Sequence, residues 1–221
     1  NFSSNYLDIK AKQNFRYNTF VNLERLNNIR GINNLFNVVN QKLPDDGQIV
    51  CCFESKSTRK MNILKSLPKG INYIYYSFNY VYRRIIPKLF LTRRLYYDIT
   101  HGKNRILSKA EVMGRLYFSG FEVINDCKVG SLNYVFARRV KQPEPVVKKS
   151  YGPLIKLKRL GKNGKVFDVY KMRTMHPYSE YLQAYIYDHY NLQKGGKFNN
   201  DIRINTLGRI MRKYFLYEIP M

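Results

Sequence analysis

Residues 154–175 read LIKLKRLGKNGKVFDVYKMRTM. Two alternating runs, LIKLKRLG up to Gly161 and KVFDVYKMRTM from Lys165, flank Asn163-Gly164. That dipeptide favours a tight hairpin turn because both residues tolerate positive φ. The pattern predicts a β-hairpin. On its second strand Val166, Asp168, Tyr170 and Met172 share one face, and Phe167, Val169, Lys171 and Arg173 share the other. Lys and Arg fixed on a strand hold phosphate oxygens, Arg through its planar fork. A solvated basic face is the simpler alternative.

Downstream, HPYSEYLQAYIYDHYNLQKGGKFNNDIRINTLGRIMRKYFLYEIPM occupies 176–221. Pro177 fits the start of a helix over YSEYLQAYIYDHY, and Gly195-Gly196 fits a loop. Thr206-Leu207-Gly208-Arg209 opens a second helix, with Arg212 on its next turn. Arg203, Arg209 and Arg212 are candidates to converge on an anionic substrate, or to form an exposed basic face.

Upstream, KQPEPVVKKS (Lys141–Ser150) carries two prolines close together and several charges, which marks a linker. It divides the chain into 1–140 and 151–221. In the first part, Val21, Leu23, Leu26, Ile29, Ile32, Leu35, Phe36 and Val39 fall at helical spacing. The turn Pro44-Asp45-Asp46-Gly47 leads into QIVCCF (Gln48–Phe53), a short apolar run that predicts a buried strand. Ser108 followed by Glu111 predicts a capping box, and Gly120 the end of that helix. FEVIN and LNYVFARR then predict two antiparallel strands.

The chain of 221 residues carries 39 Lys and Arg against 15 Asp and Glu, a formal charge of +24. Such an excess favours polyanions: nucleic acid, anionic lipid or phosphorylated substrates. Cys51, Cys52 and Cys127 show neither disulfide-framework nor metal-ligand spacing, which suits a reducing cytoplasm. His101, His176 and His189 lack zinc-ligand spacing, although His176 adjoins the Arg173-Thr174-Met175 element. No window approaches the roughly 18–20 apolar residues of a spanning helix. INYIYYSFNYVY (Ile71–Tyr82), followed by Arg83-Arg84, is the nearest; it reads as a buried amphipathic helix or as one lying in a headgroup layer.

The combination KRLGKNGK, YKMRTM and LGRIMRKY, in this order, resembles the bacterial sugar transferases, the monotopic phosphoglycosyl transferases. The resemblance implies a small α+β C-terminal part with a β-hairpin and helices. It implies transfer of a sugar phosphate from a UDP-sugar to polyprenyl phosphate, in exopolysaccharide, capsule or O-antigen assembly. In that family an Asp-Glu pair precedes a Pro. The Asp attacks phosphorus to give a covalent aspartyl phosphosugar, and the Glu holds Mg²⁺. Here the pair reads Tyr217-Glu218. Glu218 matches the metal-binding Glu, and Tyr217 stands at the nucleophile position. A phenol, with a reference pKa of about 10, needs a base to attack where a carboxylate does not. Lys171, Arg173, Arg203, Arg209 and Arg212 become the candidate substrate-binding residues, with Asp201 and Arg203 resembling an Asp-Pro-Arg element in which Ile202 replaces Pro.

The family's membrane helix before Tyr-Gly-Pro is replaced by KQPEPVVKKS, which cannot enter a bilayer. The N-terminal part resembles, by element order, the second half of a Rossmann-like methyltransferase domain without its Gly-rich cofactor loop. The fold expectation is therefore α/β: a partial Rossmann-like domain over 1–140, a linker over 141–150 and a truncated sugar transferase domain over 151–221. The chain opens on Asn1 and stops at Met221, before the family's further helices and Pro-Arg-Pro element, as a fragment or degenerate member would. The expected setting is cytoplasmic, peripheral at the inner face of the plasma membrane, with an anionic lipid surface as partner and impaired catalysis. A non-catalytic relative that binds nucleotide sugar or a partner enzyme is the alternative. A basic nucleic-acid-binding protein is a third reading, but no nucleic-acid motif supports it.

Overall fold

The computed structural model describes residues 15, 17–145, 151–192, 196 and 198–219. The linker residues 146–150, Gly195, Pro220 and Met221 lie outside the described residues. The protein is of the α/β class, and the chain divides into two compact units, Asn1–Val146 and Val147–Met221.

The N-terminal unit is built on a four-stranded mixed sheet, ordered β1-β2-β4-β3. β1 (Thr19–Asn22) runs parallel to β2 (Gln48–Phe53), with Thr19 opposite Gln48. β2 pairs antiparallel with β4 (Leu132–Arg139), which pairs antiparallel with β3 (Phe121–Val129). The predicted strand Gln48–Phe53 forms at those limits. Its Ile49, Cys51, Cys52 and Phe53 are buried, as expected for a central strand shielded on both faces. Burial pushes the Cys51 thiol far up, so it behaves as an inert core residue.

The continuous helical spacing from Val21 to Val39 does not give one helix. Thr19–Asn22 is a strand, Leu26–Asn28 is a single 3₁₀ turn, and only Ile32–Lys42 (α1) is α-helical. Two tertiary effects override the periodicity: the β-prone Thr19-Phe20-Val21 finds a parallel partner in β2, and the turn at Arg30-Gly31 interrupts the helix path. α1 buries Ile32, Leu35, Phe36 and Val39. Asn40 shares that buried stripe. Its amide donates to the carbonyls of Ser119 (2.8 Å) and Lys141 (2.9 Å), while its oxygen accepts from Arg139 Nε.

After β2 come α2 (Lys56–Ser66), capped by the Ser55 hydroxyl, and α3 (Ile71–Tyr80), which continues as a π-helical turn to Ile85. Pro87 sits in the 3₁₀ corner that follows, and α4 (Phe90–Thr100) leads back. α5 (Lys109–Phe118) starts as predicted, with the Ser108 hydroxyl accepting from the Glu111 amide at 3.2 Å. The reciprocal half of the capping box is absent, because the Glu111 carboxylate is taken by Arg84 and by Arg115 (3.0 Å). Gly120, at φ +81°, ends this helix where an added Cβ would lie 2.1 Å from the Lys141 carbonyl.

The C-terminal unit opens with the predicted hairpin, β5 (Leu154–Leu160) against β6 (Val166–Met172). Asn163 and Gly164 both take positive φ in its turn. The segment after Pro177 is not helical throughout. Tyr178 adopts a left-handed conformation, Ser179–Leu182 is 3₁₀, and α-helix begins only at Gln183 (α6, Gln183–His189). α7 (Thr206–Lys213) is capped by Asn205, whose side chain accepts from the Gly208 amide at 2.7 Å.

Candidate functional site

Met172 ends β6, and the chain continues extended through Thr174 to His176. There it pairs with residues 203–205: Asn205 donates to the Thr174 carbonyl (3.0 Å) and His176 to the Arg203 carbonyl (2.8 Å). This pairing brings the N-terminus of α7 against Thr174. Gly208 permits the approach; a Cβ there would lie 2.1 Å from the Thr174 carbonyl oxygen. α7 runs to Lys213, Phe215 turns through φ +57°, and a 3₁₀ turn at Leu216–Glu218 returns the chain to β6.

That return joins residues 47 positions apart. Lys171 Nζ donates to Glu218 Oε1 at 2.9 Å and lies 5.6 Å from the centre of the Tyr217 ring. Lys171 and Glu218 are both partly accessible, with 21% and 35% of their side chains exposed. The Lys171 hydrogen bond, with a smaller contribution from the Tyr217 hydroxyl, holds the Glu218 carboxyl below the ordinary carboxylate range. Lys171, Tyr217 and Glu218 thus form one cluster at the unit's surface.

The four arginines are arranged differently. Arg203 is buried with Asp201: Nε reaches Asp201 Oδ1 at 2.9 Å, Nη2 reaches Oδ2 at 2.8 Å, and Nη1 donates to Gln183. Burial pushes the Asp201 carboxyl up, but the Arg203 hydrogen bonds outweigh it and hold it below its usual value. The Asp201–Arg203 element is therefore an internal clamp between the 201–205 segment and α6. Arg173 is half-buried; it donates to the Gly152 carbonyl (2.9 Å) and stacks 5.3 Å from the Tyr151 ring, which fastens Tyr151-Gly152-Pro153 to the hairpin. Arg212, exposed, donates from Nε to Thr174 Oγ1 at 3.1 Å. Arg209 is exposed on α7. Lys171 and Arg212 accordingly reach the two ends of one short stretch, 171–174, whereas Arg203 does not join them.

Two features escape a reading of the sequence. Tyr151 donates to Glu180 at 2.9 Å and packs at 4.7 Å on the ring of Tyr178, which is held at φ +62°. The Lys171–Glu218 contact is the other; only the excess of Lys over acid near β6 hinted that Glu218 would be drawn to a cation.

Among the described residues, no three His, Cys, Asp or Glu side chains form a metal site. Glu218 is a lone carboxylate with Lys171 bonded to it, so these residues do not make a resident Mg²⁺ site by themselves.

The structure defines an α/β protein whose C-terminal unit presents a lysine–glutamate–tyrosine cluster beside a cationic helix. Residues 145–221 match the family described as bacterial sugar transferase. No curated protein matches the chain.

Proposed function

We propose that the C-terminal unit recognises the diphosphate of a nucleotide sugar, of the UDP-sugar type, and that this chain is impaired in passing the sugar phosphate to polyprenyl phosphate. The observation that carries the reading is the Lys171–Glu218 pair with Tyr217 alongside, at 2.9 Å and 5.6 Å. A diphosphate offers two negative charges where Glu218 offers one, so it would draw Lys171 off Glu218; Arg212 and Arg209, both exposed on α7, would follow. Glu218, once released, is a carboxylate available to a Mg²⁺ ion arriving with the diphosphate, whose remaining ligands would be phosphate and water oxygens.

The impairment follows from Tyr217. A phosphoryl acceptor must present a free lone pair, and a phenol must first lose its proton. The carboxylate beside Tyr217 is Glu218, whose proton affinity is lowered by Lys171, so it serves poorly as the base. The reading retains the 1–140 part as a methyltransferase-like half-domain; its parallel pair continued by an antiparallel hairpin supports this. Attachment is peripheral, at the inner face of the plasma membrane; no helix among the described residues is long and apolar enough to cross a bilayer.

The test is calorimetric titration of the full chain with UDP and a panel of UDP-hexoses, then assay of UMP release with undecaprenyl phosphate vesicles and Mg²⁺. Binding without UMP release is expected, with release gained in Tyr217→Asp if the fold supports it. Absence of UDP binding in the folded protein refutes the reading. Salt-sensitive binding of single-stranded RNA in its place would support the nucleic-acid alternative.

A further inference from the structure

The helical segment after β2 carries two unpartnered apolar stripes. Along α3 and its π-helical extension, Ile71, Ile74, Phe78, Val81 and Ile85 recur at steps of three and four, all exposed, Ile74 by 73% and Phe78 by 69%. On α4, Leu91, Leu95 and Ile99 recur every four residues, Leu91 exposed by 89%. The two helices are neighbours through Tyr82 and buried Tyr96, whose rings meet edge-on at 5.5 Å. Exposed apolar residues scattered singly need no explanation; eight in register on adjoining helices do.

Charge identifies the occupant. Between Lys56 and Arg105 the chain carries twelve Lys and Arg against one acid, Asp98; Arg59 and Arg84 are buried in ion pairs, while Lys60, Lys65, Lys69, Arg93, Arg94 and Lys103 are exposed. A second copy of this surface would bring like charge against like charge. A nucleic acid would satisfy the cations and leave the stripes in water. An anionic lipid surface satisfies both, with hydrocarbon for the stripes and headgroups for the cations. The edge of α3 suits such a boundary: Lys56 and Lys60 lie over the rings of Tyr80 and Tyr76, at 5.4 and 5.7 Å, in the manner of amphipathic residues at a headgroup layer. The segment Ile71–Ile85 is about 22 Å long at 1.5 Å per residue, short of the roughly 30 Å hydrocarbon core, so it lies along a bilayer and does not cross it.

We infer that α3 and α4 are the membrane-docking surface of this protein, embedding the stripes Ile71–Ile85 and Leu91–Ile99 in an anionic leaflet. This deepens the peripheral attachment proposed above and rests on that reading for which membrane is meant. The surface itself lies in the N-terminal unit, away from the sugar-transferase segment in sequence.

The test is flotation of the full chain with vesicles of phosphatidylcholine alone and of phosphatidylcholine with phosphatidylglycerol at about two to one. The wild type should bind the anionic vesicles preferentially, and less as salt rises. Ile74→Glu/Phe78→Glu and Leu91→Glu/Leu95→Glu should each lower the partition coefficient about tenfold or more. Arg93→Glu/Arg94→Glu should lower it by about tenfold as well. Leu160→Glu, equally apolar and exposed but on β5, should leave it unchanged. All these side chains are exposed, and circular dichroism will show each variant folded. The inference is overturned if the apolar variants bind like the wild type, if neutral and anionic vesicles bind equally, if neither binds, or if sedimentation shows a dimer that Ile74→Glu/Phe78→Glu dissociates. UDP titration of the same variants separates the two readings: vesicle binding lost with UDP binding kept tests this surface alone, and vesicle binding kept without UDP binding refutes only the sugar-transferase reading.

Discussion

Arg203→Ala discriminates most sharply between a structural and a ligand-binding arginine. The side chains of Arg203 and Asp201 are each 7% exposed, joined through two guanidinium nitrogens, with Gln183 on a third. Removing the guanidinium leaves a buried carboxylate unpaired, which costs about 3–5 kcal/mol. For a unit of this size about 4 °C of midpoint accompanies each kcal/mol, so even the low end lowers its transition by on the order of 12 °C. The double variant Asp201→Ala/Arg203→Ala should cost less than the sum of the single variants by about 2 kcal/mol, since neither charge remains stranded. The acid sensitivity should weaken. In the wild type Asp201 titrates below its ordinary 3.8, so the pair's stabilisation is full above that value and fades as pH falls. In Arg203→Ala the guanidinium bonds are gone while burial and the residue-203 backbone amide remain, so the carboxyl moves upward from its wild-type position and less stabilisation is left to lose as pH falls. Differential scanning calorimetry of the full chain from pH 7 downward reads all three quantities. An Arg203→Ala protein that melts like the wild type but no longer binds UDP would refute the reasoning, and would return Arg203 to the ligand.

Three further outcomes follow from the geometry. Gly208→Ala should cost about 1–3 kcal/mol by denaturant unfolding, because its Cβ meets the Thr174 backbone at 2.1 Å and α7 must shift; an unchanged midpoint contradicts that packing. Lys171→Met should move the Glu218 carboxyl upward toward its ordinary value of 4.5 in a ¹³C-detected NMR titration, and no movement would show that the pair does not form in solution. Burial pushes the Glu111 carboxyl up, but Arg84, Lys88 and Arg115 more than offset it and hold it well below 4.5; its stabilisation is therefore present above that value and lost as pH falls beneath it. Glu111→Gln should cost about 3–5 kcal/mol at neutral pH and flatten the acid limb of the N-terminal unit's stability profile; an unaltered limb would place the acid sensitivity elsewhere.

The parts of this fold that the sequence discloses are those determined within a few residues. The β5–β6 hairpin is written in its alternation and its Asn163-Gly164 turn, and the start of α5 in Ser108. The β1 strand is not legible, because its identity depends on pairing with Gln48–Cys51 and its residues also fit the helical spacing that continues into α1. The candidate site divides in the same way. Cationic residues near Thr174 are visible as composition, but their fates are set by contacts of long range. Lys171 meets Glu218 across 47 residues, and Arg203 turns inward because Asp201 and Gln183 are there to receive it. A clue to the latter exists, an acid two residues before an arginine, but that spacing marks a local ion pair as readily as a ligand site.

How a chain with 39 basic and 15 acidic residues forms a packed fold also bears on its function. The arginines substitute backbone carbonyls for missing acids. Arg84 donates to Ile106, Arg105 to Gly102 and Ile29, Arg139 to Leu43, Arg59 to Asn104, and Arg173 to Gly152. Each guanidinium has five N–H donors, so it can cross-link loop carbonyls that no strand or helix satisfies, and its weak hydration makes that burial tolerable. A lysine ammonium, compact and strongly hydrated, cannot replace it there. Much of the arginine charge is thus committed to the fold, and the cations that remain open to a polyanion are mostly lysines, with Arg93, Arg94 and Arg209 among the exposed arginines. Net charge alone therefore overstates the affinity for any long polyanion, because part of that charge is already bonded inside the fold.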